Sequence, residues 1–150
     1  MKNKKKNSRG FSLIELLISV AIIVILAGTS IGGFYYFKRS SNVNIDTQKI
    51  VNSIRKTQGK SKAMREDSAW GIDISVDKLI IFKGLDFANR AQSFDESIPI
   101  KGLTNVSGKT RLFFSKLNGL PDANSIGVLT ISDNDISKNI QINEEGIVSY

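Results

Sequence analysis

The 150-residue chain contains neither histidine nor cysteine. These absences remove the imidazole base and thiol nucleophile of Ser-His-Asp and Cys-His hydrolysis, histidine and thiolate metal sites, and disulfide staples. An enzyme is not expected, and no cofactor or metal is implied. The residue that stands out is Glu15, a carboxylate at the entrance of a run with no further charge before Lys38. A charge inside a membrane helix costs about 2.5–3.5 kcal/mol at the centre and less near the interface, so it calls for a partner. A cut between Gly10 and Phe11 would supply one: the new α-ammonium of Phe11 lies four residues before Glu15 on the same helix face. Within one helix the two charges can meet. Between parallel helices staggered by about one turn the pairing becomes intermolecular and sets register in an assembly. The bland alternatives are a carboxylate that snorkels to water and an ordinary loop glycine at position 10. Asp133-Asn134-Asp135 resembles a calcium loop only in part. The glycine and distal glutamate of an EF-hand are not at the required spacing, which leaves a polar hairpin turn.

The element that must carry Glu15 is a helix. Leu16 to Phe37 are 22 consecutive uncharged residues, and a helix of that length reaches about 33 Å, enough for a hydrocarbon core of about 30 Å. The net charge of +7 is strongly segregated: Lys2, Lys4, Lys5, Lys6 and Arg9 precede the span, and eight further basic residues against Asp46 alone occupy 38–65. Residues 66–150 are mildly acidic. The leading cluster predicts a cytoplasmic N-terminus, against the weaker opposing pull of Lys38 and Arg39. A cleaved secretory signal fits less well, because the span exceeds the usual h-region of about 7–15 residues, no A-x-A site follows it, and Glu15 stands near its start.

The sequence KKKNSRG followed by FSLIELLISVAIIVILA resembles the class III signal of type IV pilins and of the pseudopilins of type II secretion and competence systems. The resemblance implies that a prepilin peptidase cuts between Gly10 and Phe11 and N-methylates Phe11. It also implies that Glu15 serves membrane extraction and docks against a neighbour's N-terminus. The partners so implied are the peptidase, other pilin or pseudopilin subunits, an inner-membrane assembly platform, and lipid before assembly. Many relatives have a proline midway through the apolar helix, where it melts on assembly; here no proline precedes Pro99. Gly28, Gly32 and Gly33 are the candidate melting positions instead, each weakening a helix by about 1 kcal/mol against alanine. Gly28 and Gly32 also fit small-xxx-small helix packing.

Past the membrane, Val43, Thr47, Ile50, Ile54, Thr57, Ser61 and Met64 recur at helical spacing and predict an amphipathic continuation whose stripe lies on a sheet. Its basic face, with Lys56, Lys60, Lys62 and Arg65, is either solvated or a contact for anions or DNA; nucleic acid is not favoured. From Ala69 the period becomes two. Trp70 to Val76 and Leu79 to Phe82 predict a hairpin turning at Asp77-Lys78, and residues 84–98 read as irregular. Further strands are expected at 103–106, 110–115, 126–132, 139–143 and 147–150, with turns at Asn118-Gly119, Asp133-Asn134 and Glu145-Gly146. Trp70 and one of Phe113 and Phe114 are expected in the core. The C-terminal half also resembles FimT- and GspH-like minor pilins and pseudopilins, through Phe114, Gly119 and Gly146. The DNA site of some such relatives does not carry over, because Lys138 faces Asp133, Asp135, Glu144 and Glu145 near the last strands.

The resulting expectation is an α+β, pilin-like chain in four parts: a cleaved basic leader (1–10), a transmembrane and filament-core helix (11–37), an amphipathic stalk helix (38–66) and a β-rich outer domain (67–150). Its function would be that of a filament subunit, beginning as a single-pass membrane protein and ending on a surface filament. The alternative is a filament-borne binding module for DNA or a surface ligand.

Overall fold

The computed structural model describes residues 10–134 and 136–150, and within the first helix all side chains except those of residues 29–31. The basic leader up to Arg9 and Asp135 therefore lie outside the described residues. Helix α1 runs Leu13–Lys62. The chain divides into two units, up to Phe37 and from Lys38 onward.

In the first unit every described side chain from Phe11 to Phe37 is exposed. A helix that is apolar all round needs a non-aqueous surround or other helices to cover it.

The second unit packs the rest of α1 against two antiparallel sheets. The strands are β1 Trp70–Ile74, β2 Lys78–Lys83, β3 Glu96–Pro99, β4 Asn105–Gly108, β5 Arg111–Phe114, β6 Gly127–Asp133, β7 Ile136–Ile142 and β8 Val148–Ser149. One sheet has the order β3-β2-β1-β5 and the other β4-β6-β7-β8, so the α+β architecture is present with two sheets on the helix. Val43, Ile50, Val51 and Ile54 of α1 share one core with Ile72, Ile81 and Phe114 of the first sheet and Leu129, Ile131, Ile140 and Ile142 of the second. Truncating Ile50 or Ile54 to alanine in such a core costs about 2–5 kcal/mol.

The predicted stripe is buried from Val43 to Ser61. Its threonines fit because each hydroxyl donates one turn back, Thr47 to the Val43 carbonyl at 2.6 Å and Thr57 to the Ser53 carbonyl at 2.7 Å. Met64 departs from the expectation. The helix ends at Lys62, short of the expected 66, and Met64 takes φ 48° in the turn that follows, so its side chain is exposed.

The hairpin also turns earlier than expected. Ile74 pairs with Leu79 and the Ser75 amide donates to the Lys78 carbonyl at 3.0 Å, which leaves Val76 exposed at the tip. Within the stretch read as irregular, β3 pairs with β2 from Lys78↔Pro99 to Ile81↔Glu96. It sits at the sheet edge, where a proline without an amide donor interrupts no ladder. The strand expected at 103–106 is shifted to Asn105–Gly108, and Leu103 is buried just before it. Residues 84–95 then cover the first sheet's outer side, where Phe82 meets Phe87 and Phe113 edge to face at 5.1 and 5.8 Å. Phe113 and Phe114 thus serve opposite faces, and Trp70 is a core residue whose indole N–H donates to the Arg65 carbonyl at 3.0 Å.

Candidate functional site

Gly10 and Phe11 are exposed, with Phe11 at 82% of its full accessibility. Ser12 supplies the first helical acceptor: its carbonyl receives the amides of Glu15 and Leu16, both at 3.1 Å. Glu15 therefore occupies the first turn, where a carboxylate is favoured by the unpaired amides and the helix dipole. Ser19 closes the next turn by donating its hydroxyl to the Glu15 carbonyl at 2.7 Å. The carboxylate itself is exposed. The described part of this end presents a protein-free Gly10-Phe11 junction and, one helical turn on, a single anion on an apolar rod.

Gly28, Gly32 and Gly33 lie within α1, and a methyl group built on any of them meets no atom within 4 Å. Among the described residues no packing within the chain demands glycine there.

The basic residues of the stalk are largely committed to the chain's own surface. Lys56 and Lys60 both donate to the Glu96 carboxylate, Lys60 at 3.1 Å, and the Lys60 ammonium lies 4.4 Å from the centre of the Trp70 ring. The Lys56 hydrogen bond, seconded by that of Lys60, holds the Glu96 carboxyl below its ordinary pKa, against the opposing effect of partial burial. The Lys62 methylenes lie against Gly119, and Arg65 uses its carbonyl for Trp70. Of the four expected anion contacts, the structure brings Lys56, Lys60 and Arg65 around one open depression of about 290 Å³, and leaves Lys62 on the side facing the 115–121 loop.

Several positioning roles were not foreseen from the sequence. Asp46, the lone acid among the stalk cations, is buried; it accepts the Gly102 amide at 2.7 Å and the Lys49 ammonium at 2.9 Å. Its isolation in a basic stretch was the available signal. Ser61 joins the helix to the first sheet by accepting the Trp70 amide at 2.9 Å and donating to the Phe114 carbonyl at 3.1 Å. Gln58 lies under both of the expected glycine turns. Its amide donates to the Gly119 carbonyl at 3.0 Å, and a Cβ on Gly146 would come within 2.3 Å of it. Gly119 and Gly146 adopt φ of 62° and 76°, so both turns need glycine for conformation as well as for close approach to the helix.

Among the described residues no group of three His, Cys, Asp or Glu side chains could hold a metal. By length and composition α1 suffices to cross a membrane. Residues 5–31 match the family described as the prokaryotic N-terminal methylation motif. The match marks a class III signal peptide of the type IV pilin and pseudopilin kind, a structural rather than enzymatic family, and implies processing by a prepilin peptidase and assembly with other pilins. No curated protein and no solved structure matches the chain.

Proposed function

We propose that this chain is a structural subunit, a minor pilin or pseudopilin, of a type IV pilus or of a type II secretion or competence pseudopilus. The observation that carries the reading is the apolar helix from Leu13 onward, whose described side chains up to Phe37 are all exposed, with Glu15 in its first turn and the methylation motif over its start. The precursor sits in the membrane with its basic leader in the cytoplasm. A prepilin peptidase cuts between Gly10 and Phe11 and methylates Phe11. An inner-membrane platform then draws the helix out of lipid into a filament. There, contacts among apolar helices replace lipid contacts, and Glu15 neutralises the Phe11 ammonium of a neighbour. Pairing is what makes a carboxylate tolerable in such surroundings, since an unpaired buried charge is strongly destabilising.

The test is the intact and N-terminal peptide mass of the chain expressed with and without a prepilin peptidase. The expected product begins at Phe11, carries one methyl group, and is absent from Gly10→Ala. An uncut chain, or one cut after residue 37, would overturn the reading.

A further inference from the structure

The outward face of the second sheet carries no charged side chain on its strands. Register puts Ser107, Thr130 and Asn139 in one cross-strand row and Val128, Gln141 and Ser149 in the next. The remaining row, Asn105, Ser132 and Ser137, is uncharged as well. In a chain of which 23% is charged, ionic groups are displaced from this face to its margins. Lys109 lies beside Gly127 at one end and Asp133 stands at the other, while Lys138 alternates with Asn139 onto the opposite side. Val128, Asn139, Gln141, Ser149 and Tyr150 line an open groove of about 350 Å³.

The polar groups in this groove are available. The Thr130 hydroxyl donates to Asn139 Oδ1 at 2.9 Å, which orients that amide and leaves its two N–H donors without a partner among the described residues. Among the described residues the side chains of Gln141 and Ser149 make no hydrogen bond. Tyr150, 58% exposed as a residue, adds an aromatic ring, and Val128, 43% exposed, a branched apolar side chain.

These features select a ligand chemistry. A nucleic acid or phosphate ligand calls for lysine or arginine, and none lies in the groove. A lipid or an apolar helix calls for contiguous apolar surface, and here it is interrupted by amides and hydroxyls. An uncharged, hydroxyl-rich molecule with flat C–H faces satisfies both parts. Its hydroxyls pair with amides that donate and accept, and its C–H face lies on an aromatic ring. We propose that the groove formed by Val128, Asn139, Gln141, Ser149 and Tyr150 binds a neutral oligosaccharide.

The test uses the full chain in a detergent without a sugar head group, so that processing and assembly do not enter. Cellohexaose, chitohexaose and mannohexaose are titrated in turn while the side-chain amide signals of Asn139 and Gln141 and the ring signals of Tyr150 are followed by NMR. At least one neutral hexasaccharide is expected to shift all three, with an affinity that does not change between low and high salt. Tyr150→Ala and Gln141→Ala are each expected to weaken it several-fold, the scale of one lost ring contact or neutral hydrogen bond. Both residues are exposed and neither belongs to the core, so neither change disturbs it. The proposal is overturned if none of the three sugars moves these signals, if the shifts map elsewhere, or if the variants bind as the parent does. It is equally overturned if an anionic oligosaccharide or a DNA oligomer binds here in a salt-dependent way while the neutral sugars do not.

Discussion

Asp46 and Glu96 show how differently two carboxylates are used by the same helix. Asp46 is buried and holds the 101–102 backbone, so its removal leaves an inward-facing amide without an acceptor. Asp46→Ala is expected to lower the stability of residues 38–150 by about 1–3 kcal/mol, and Asp46→Asn by less because an acceptor oxygen remains; urea unfolding followed by tryptophan fluorescence measures both, Trp70 being the single tryptophan. Glu96 is a surface clamp on Lys56 and Lys60, worth little at neutral pH in salt. Its depressed folded-state pKa gives its contribution a definite sign. The contribution is complete above the carboxyl's unfolded-state pKa and is lost as pH falls through the lower folded value. Glu96→Gln is therefore expected to flatten the acid side of the stability profile while leaving the neutral side almost unchanged, and thermal midpoints across pH 2–7 check it. Both roles depend on partners far along the chain, 40 residues from Lys56 to Glu96 and 56 from Asp46 to Gly102. That distance is why the sequence showed the basic residues but not their commitments. The proposal for Gly10, Phe11 and Glu15 could be drawn from the sequence alone for the opposite reason, since their relation is local.

At the level of elements, α1 was legible wherever one period held. The stripe from Val43 to Ser61 could be read through its threonines and serine, because their positions kept the spacing and their hydroxyls are satisfied within the helix or at its junction with the sheet. It failed at Met64, where the period continues in the sequence but the backbone has already turned. The strand β3 failed differently. Four residues ending in proline have no period to show, and they become a strand only because β2 offers an edge. Gly32 and Gly33 make a prediction that belongs to the helix as a whole. No neighbour among the described residues requires them, so Gly32→Ala and Gly33→Ala are expected to leave the second unit's unfolding unchanged and to raise the helicity of the micelle-bound chain. If local melting is part of assembly, the same variants will lower filament yield; equal yield with unchanged helicity would show that the glycines are incidental. Circular dichroism and electron microscopy of assembled material separate these outcomes.

For the molecule as a whole, the division into a bare apolar rod and a self-contained second unit matches the segregation of charge and hydrophobicity along the amino-acid sequence. Two sheets in place of one could not be read from strand periodicity, because β4 and β5 are neighbours in the chain and join different sheets. The bonding of the stalk to late segments also has a bearing on biosynthesis. Arg55 donates to the Val148 carbonyl, Gln58 to that of Gly119, and the stripe is covered by Leu129, Ile131, Ile140 and Ile142. A ribosome therefore delivers the helix first and its covering last. While more than half of the chain is still being made, the nascent stalk has an apolar stripe, a basic flank and an anchored neighbour segment. That is the make-up of a peptide that rests on an anionic bilayer. On the reading proposed above, the bilayer that holds the apolar helix is placed to shelter the stalk until the last strands arrive, a chaperone's task done by lipid.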